Sequence, residues 1–547
     1  VRAAESGAYK LLYVAPERLD TAPFRELAER LAVSMVAVDE AHCISQWGQN
    51  FRPSYLKLAG FIELMPTRPV ISAFTATATL RVREDIIAAL GLRDPLVVVS
   101  GFDRPNLYFE VRKPENKPRE LLALLRARRG QSGIVYCSTR KNVESVHELL
   151  LTEGYPATRY HAGLSDAERR RNQDDFLYDR APVMAATNAF GMGIDKPDVN
   201  FIVHYNMPKS IEAYYQEAGR AGRDGSDAAC YLLYSGSDWQ TNKFLIERGA
   251  QENSELDDAQ REAVIEKDMT LLRDMSYYAF TSDCLRRYIL SYFGEKTALC
   301  CDNCGNCTGD FNEEDATEWA RAALNCVHQI CARGWPYGKS MAADVLKGSN
   351  NEKVRKARLD HLKTYGLLSA LPRRRIADLL DRMEQDGLLE VSDGKYPVVT
   401  LGEKSKRCKE EGFRYVIKIP KRVEPEQPTG KVGATLSSGG KSGRKGAGSG
   451  GVERGASGGT PDREDRSYPE GLFETLRVLR RRLADEAGVP AFVVFSDAAL
   501  RDMCRVMPED DESFLSVSGV GQTKLARYGK VFLEEIKAWR GGSEKMH

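Results

Sequence analysis

A chain of 547 residues has room for roughly three to five domains at ~100–200 residues each, and its 42% hydrophobic content can fill their cores. No apolar run approaches the ~20 residues of a membrane-spanning helix, and no signal-peptide pattern is read at the start. The net charge of +1 is neutral on polyanionic partners, whereas twelve cysteines, five of them within Cys284–Cys307, fit an intracellular protein with one metal site and exclude a disulfide scaffold.

Residues 1–105 alternate short apolar runs with helical stretches, the pattern of a parallel sheet. The runs are 11–17 (LLYVAPE), 35–42 (MVAVDEAH), 69–79 (PVISAFTATAT) and 95–102 (PLVVVSGF). The first residue is Val1 and the text starts mid-helix, so a truncated start is expected. The second run ends in Asp39-Glu40-Ala41-His42. A carboxylate at a strand end can hold Mg²⁺ on the β- and γ-phosphates of a nucleotide, and a second beside it can orient or deprotonate water. Asp39 takes the first role and Glu40 the second, with His42 grouped beside them. Small hydroxyl residues in Ser72–Ala78, Thr75 among them, can link that site to a nucleic-acid groove.

A second such unit spans 106–235, with runs at 132–139, 157–163, 181–190, 199–206 and 228–234 that are apolar nearly throughout. Such strands belong to sheets covered on both faces. A glycine-rich turn, Ala189–Pro197, holds Gly193 and Asp195. Gln216–Gly225 follows, with Arg220 and Arg223 three apart and so on one helical face. Arginines so placed can reach a γ-phosphate across a cleft, a contact worth ~10³–10⁵ in rate.

Together these segments match the superfamily 2 helicases. The stretch Asp39–Tyr55 (DEAHCISQWGQNFRPSY) closely resembles the RecQ family's second motif and its aromatic-rich loop. The resemblance continues through Tyr136–Arg140, His161–Leu164 and Gln216–Gly225. It implies two RecA-like domains, the first incomplete, with ATP and Mg²⁺ as cofactors. By motif position Arg223 resembles the family's arginine finger and Arg220 its neighbour at the phosphates. Thr75, Gly193, Asp195 and Gln216 join Asp39 at the nucleotide. Gln46, Trp47, Phe51 and Arg52 become DNA-sensing candidates. Trp and Phe offer stacking faces to unpaired bases, and Arg a phosphate contact.

A motor also needs a phosphate loop, G-x-x-x-x-G-K-[ST]. RecQ proteins carry it upstream of these motifs. Gly338-Lys339-Ser340 does not qualify, because only three residues separate Gly338 from Gly334. The chain as written is therefore expected not to hydrolyse ATP appreciably, and the full-length protein to be active.

Residues 236–310 read as helical and end in Cys284, Cys301, Cys304 and Cys307, a C-x16-C-x2-C-x2-C pattern that suits a closed, structural Zn²⁺ site. Cys300 competes with Cys301; the x2 spacing and the family pattern favour Cys301. Residues 311–422 read as helices followed by a hairpin turning at Asp393-Gly394. From Ala316 to Arg422 there are 22 Lys and Arg against 13 Asp and Glu, the footprint of phosphate binding. Asn350–Lys356 and His361–Gly366 resemble the RecQ winged-helix domain, which can place a hairpin at a DNA fork; Tyr396 in the Asp393–Pro397 turn then either stacks on the terminal base pair or stands exposed on a plain wing. Residues 423–466 form a linker; 429–460 contains twelve Gly and five Ser. Residues 467–547 form a last helical unit with Phe473, Leu476, Leu479 and Leu483 at helical spacing. Leu515–Gly521 with Lys524 and Tyr528–Lys530 resembles the HRDC domain, but 12 basic against 13 acidic residues promise only a weak DNA contact, and a protein-contact module is the competing reading.

The resemblance implies a DNA helicase with 3′→5′ polarity, acting on single-stranded and forked DNA in recombination and repair. A single-stranded-DNA-binding protein is a family-level partner, and the layout points to a bacterial cytoplasm. The competing readings are an RNA-directed motor and a non-enzymatic zinc and winged-helix DNA-binding protein. The aromatic-rich loop, cysteine spacing and HRDC-like tail argue against the first; Asp39, Glu40 and Arg223 are unexplained by the second.

Overall fold

A computed structural model describes residues 2–45, 52–191, 194–253, 257–309, 311–334, 336–392, 398–410, 412–420 and 468–543. In the first lobe, β1 (Met35–Val38) pairs in parallel with β2 (Val70–Ala73), Met35 facing Val70 and Val38 facing Ala73. Leu19, Ile44, Tyr55, Val82, Ile86 and Leu90 pack beneath them. The expected strands at 11–17 and 95–102 do not form: both segments lack ladder partners among the described residues. Most of their apolar side chains stay outside the core, Leu96 being 91% and Leu11 75% exposed, while Val14 and Phe102 are partly buried against one. An apolar run marks a segment for burial, but a strand exists only through its neighbour's hydrogen bonds.

The second lobe is complete. Its strands are β3 (Leu107–Arg112), β4 (Gly133–Tyr136), β5 (Ala157–Tyr160), β6 (Val183–Ala186), β7 (Phe201–His204) and β8 (Ala228–Leu233), all parallel in the order β3-β8-β7-β4-β6-β5. Strands β4, β6, β7 and β8 are buried at every residue, as near-continuous apolar runs require. One face is covered by helices Lys117–Ala127 and Arg140–Thr152 through Leu121, Leu125, Val143, Val146 and Leu150. The other face shares one core with the segment that follows the lobe: Ile134, Ile202 and Tyr214 join Leu272, Met275, Tyr278, Leu285, Ile289 and Cys304. The cysteine subdomain thus grows out of the lobe's own core. It consists of helices Gly236–Glu252, Asp258–Phe280 and Leu285–Tyr292 and the cysteine loop.

Residues 311–420 form a helical unit (Thr317–Cys331, Lys339–Lys347, Arg373–Gln385) closed by two antiparallel ribbons. One is the expected hairpin, β10 (Leu389–Val391) with β11 (Val399–Leu401). The other, β9 (Phe311–Asp315) with β12 (Val416–Pro420), joins the two ends of the unit and carries no local turn signal in the sequence. Helix Glu470–Ala487 opens the last unit; it buries Leu472, Leu476 and Leu479, while Phe473 and Leu483 are partly buried. This helix docks on the second lobe. Arg477 donates to the Gly130 carbonyl at 2.5 Å and Arg481 to that of Asp179 at 3.4 Å.

Candidate nucleotide cleft, metal centre and nucleic-acid interface

The end of β1 delivers Asp39 and Glu40 to the rim of a cleft of about 490 Å³ between the lobes. Glu40 adopts a left-handed conformation (φ 47°, ψ 42°), which turns the chain sharply after the strand. Its amide donates to Asp39 Oδ1 at 2.8 Å. The register of β1 on β2 sets Ser72–Ala78 alongside: the Ala41 amide donates to the Phe74 carbonyl at 2.9 Å. His42 Nδ1 lies 2.9 Å from Thr75 Oγ1 and 3.3 Å from Glu40 Oε2. Burial pushes His42 down to about 4, so it is neutral at physiological pH. Burial also raises Glu40 above the ordinary carboxylate range; Asp39 adds to the rise and Arg220 pulls against it. Glu40 Oε2 is buried without a hydrogen-bond partner.

The opposite wall comes from the second lobe. Ser210 caps helix Ile211–Ala218, accepting from the Ala213 amide at 3.1 Å. That helix and the turn after it carry Gln216, Gly219, Arg220 and Arg223, all lining the cleft with Glu40, Thr77, Arg104, Gly191, Ile194 and Asp195. Arg220 is buried and its Nη1 donates to the Gly191 carbonyl. Arg223 reaches the Ile194 carbonyl at 2.9 Å and lies 3.5 Å from Asp195. The cleft thus joins Glu40, Asp195, Gln216, Arg220 and Arg223 across the lobes, with Asp39, His42 and Thr75 just behind Glu40. Arg52 is near enough to act on the charge of Glu40. Gln46, Trp47, Phe51, Gly193 and Tyr396 lie outside the described residues.

Arg104 was missed by sequence reasoning, although it lines the cleft. Its only signal was an Asp-Arg pair before a proline, between an apolar run and a strand. Also missed was a buried pair behind the Gln216 helix, His204 Nε2 to Glu217 Oε2 at 2.9 Å.

No phosphate loop is found in the sequence. Lys339 of Gly338-Lys339-Ser340 is held by Asp381 and Glu384, the latter at 2.5 Å. A second Gly-Lys-Ser, Gly440-Lys441-Ser442, has Thr435 where the loop's first glycine would stand.

The sulfurs of Cys284, Cys301, Cys304 and Cys307 all lie within 4.8 Å of one another. Four converging thiols are the donor set of a closed tetrahedral zinc site. Cys301 belongs to the set, whereas the exposed Cys300 turns away to Asp302 Oδ1 at 3.0 Å. Hydrogen bonds from Cys284 and Cys304 hold the Cys301 thiol well below its usual range, and the contacts with Cys284 and Cys301 push the Cys304 thiol up. In the next unit, Lys353, Arg355, Lys356, Arg358 and Lys363 are exposed together around helix Glu352–Lys356, and Lys404, Lys406, Arg407 and Lys409 around Glu403–Lys409. Cations clustered in this way suit a phosphate backbone.

The sequence matches five domain families in order: DEAD/DEAH box helicase over 2–86, helicase conserved C-terminal domain over 116–225, RecQ zinc-binding over 236–308, RQC domain over 310–426 and HRDC domain over 470–536. The ATP-dependent DNA helicase RecQ of Bacillus subtilis is 40% identical over 98% of this chain and 82% of its own length. This chain belongs to the RecQ helicase family. The RecQ proteins of Pasteurella multocida and Haemophilus influenzae are 33% and 32% identical, each over 97% of this chain and over 78% and 79% of their own lengths. Among the described residues no helix is long and apolar enough to cross a membrane.

Proposed function

We propose that this chain carries the motor, zinc and DNA-binding parts of an ATP-dependent DNA helicase that unwinds forked or branched duplexes 3′→5′ in recombination and repair. The observation that supports this most is the interlobe cleft, where a half-buried carboxylate with an orphaned oxygen, Glu40, faces Arg220 across the lobes. When bound, Mg²⁺ and ATP supply the phosphoryl group and its charge. Asp39 would hold the metal, and Glu40, raised by burial, would take the proton from the attacking water. Arg220 and Arg223 would neutralise charge that develops on the phosphates, and Thr75, Gly193, Asp195 and Gln216 would help seat the nucleotide. Because those arginines sit on one lobe and Glu40 on the other, hydrolysis requires the lobes to close, which couples ATP to movement along a strand. Gln46, Trp47, Phe51 and Arg52 would sense that strand, and Tyr396 would stack at the fork. Zinc would be bound by Cys284, Cys301, Cys304 and Cys307 as a structural ion. Contact with a single-stranded-DNA-binding protein and a place at the nucleoid in the cytoplasm belong to the same proposal.

DNA-stimulated ATP hydrolysis tests it, measured on this 547-residue chain and on the chain extended upstream to include a phosphate loop. Turnover is expected in the longer form alone, with unwinding of 3′-tailed forks. In that form Glu40→Gln lowers kcat by ~10²–10⁴ and Arg223→Ala by ~10³–10⁵, with DNA binding retained. Silence in both forms, with forked DNA still bound, would leave a non-enzymatic DNA-binding protein. Turnover by the shorter chain would overturn the need for the phosphate loop.

A further inference from the structure

The interlobe segment 102–107 is gripped from two sides. On one side stands the cysteine subdomain. Arg286, two residues beyond Cys284, donates to Asp103 Oδ1 at 2.7 Å and to the carbonyls of Arg104 and Leu107. Asn303, between Cys301 and Cys304, donates to the Pro105 carbonyl at 2.9 Å. On the other side lies the loop that carries Arg220 and Arg223. Arg104 donates to the carbonyls of Gly219 at 3.3 Å, Ala221 at 3.0 Å and Gly222 at 2.8 Å. Asn106 donates to the carbonyls of Gly222 at 2.9 Å and Ser226 at 2.7 Å. Arg104 Nε reaches Asn106 Oδ1 at 3.4 Å, which aligns the pair. The fit is close: at Gly222 (φ +54°) a Cβ would stand 2.5 Å from Asn106 Nδ2.

These carbonyls lie just beyond helix Ile211–Ala218, where partial negative charge collects; that of Gly222 also accepts from the Gly225 amide at 3.1 Å. A cation there is favourable, and only a guanidinium presents a rigid fork to several carbonyls at once. We propose that Arg104 is a positioning residue: it holds the Arg220–Arg223 loop at the angle set by the zinc subdomain, so that metal occupancy governs the alignment of the cleft arginines. The proposal rests on the reading of the cleft as an ATP site. It assigns Arg104 a role toward protein carbonyls, not toward the nucleotide.

The test has two readouts. In the 547-residue chain, amide exchange of a peptide covering 219–226 is followed in the wild type, Arg104→Gln and Arg104→Lys, with zinc content measured alongside. Arg104→Gln is expected to speed exchange there about tenfold while β4 amides and zinc content stay unchanged. Arg104→Lys should recover only part. Chelating zinc should speed the same peptide in the wild type and add little in Arg104→Gln, since both act through one connection. In the longer, ATP-hydrolysing form, Arg104→Gln should lower kcat about tenfold to a hundredfold, the cost of a misplaced but intact group, with KM for ATP within about twofold. Unchanged exchange overturns the proposal. So does a rise in KM alone, which would make Arg104 a nucleotide contact. The exchange readout needs no nucleotide, so a longer form silent in ATP hydrolysis would sink the cleft reading while leaving the hold of Arg104 on its loop to stand or fall by exchange.

Discussion

His42 shows how one buried side chain shapes both chemistry and stability. It is only 3% exposed, bonded to Thr75 and displaced by burial to about 4 from 6.5. The fold accepts the neutral ring, so between those values the unfolded chain binds the proton and the folded chain does not. The first lobe should therefore keep its full stability above about pH 6.5 and lose it as pH falls toward about 4. The loss is on the order of 3 kcal/mol at about 1.4 kcal/mol per pH unit. Exchange of the β1 amides at pH 7 and 5 should show it in the wild type and not in His42→Gln. Glu40 shifts the opposite way for activity. If Glu40 takes the proton as proposed, its raised value should place the acid limb of ATP hydrolysis above the ordinary glutamate range, and Arg220→Gln should move that limb higher still, because Arg220 opposes the rise. The meeting of Glu40 and Arg220 at one cleft was legible from sequence because each lies in a short contiguous pattern. Arg104 was not, since its partners Gly219, Ala221 and Gly222 lie more than a hundred residues further along, and a lone arginine carries no trace of them.

Among the elements, the cysteine loop makes the sharpest claim. Cys301→Ser should strip zinc from the protein, whereas Cys300→Ser should retain it; metal analysis of the two purified variants decides between neighbouring thiols. Strand β4 shows how tightly the second sheet is packed. A Cβ at Gly133 would stand 2.2 Å from the ring of Phe201 on β7, so Gly133→Ala must displace that ring. Overpacking of this kind costs about 1–3 kcal/mol, readable as a lower unfolding midpoint of the second lobe. Apolar runs located the inner strands β4, β6, β7 and β8 because there the segment and both its neighbours are buried. The same signal misled at 11–17 and 95–102, where apolar residues lack a ladder partner. The pairing of β9 with β12 was invisible for the opposite reason: it joins segments about a hundred residues apart with no turn between them.

Across the whole molecule, the last helical unit is more than a tethered appendage. Phe492 comes within 5.8 Å of the Lys196 ammonium, which is sealed between Asp179 and Asp198 at 2.8 and 3.0 Å. An amine-reactive reagent should leave Lys196 unmodified in the intact chain and modify it once residues 468–547 are removed. Equal protection in both would mean that the second lobe buries the lysine unaided. The order of domains was readable from the sequence; this docking was not, because Arg477 and Arg481 are spent on main-chain carbonyls, to which any surface arginine is equally suited.

Strand β3 stands at the margin of the six-stranded sheet, and Cys304 forms a bridge to its residue Phe109 while Gly305 packs against Glu110. An uncovered margin of a sheet invites a second chain to add its own strand. The zinc loop is thus also a guard against self-association. Metal-stripped protein should gather into larger species through β3 before it unfolds, as sizing by light scattering against far-ultraviolet circular dichroism would show; a stripped protein that stays monomeric until it unfolds would deny the loop this role.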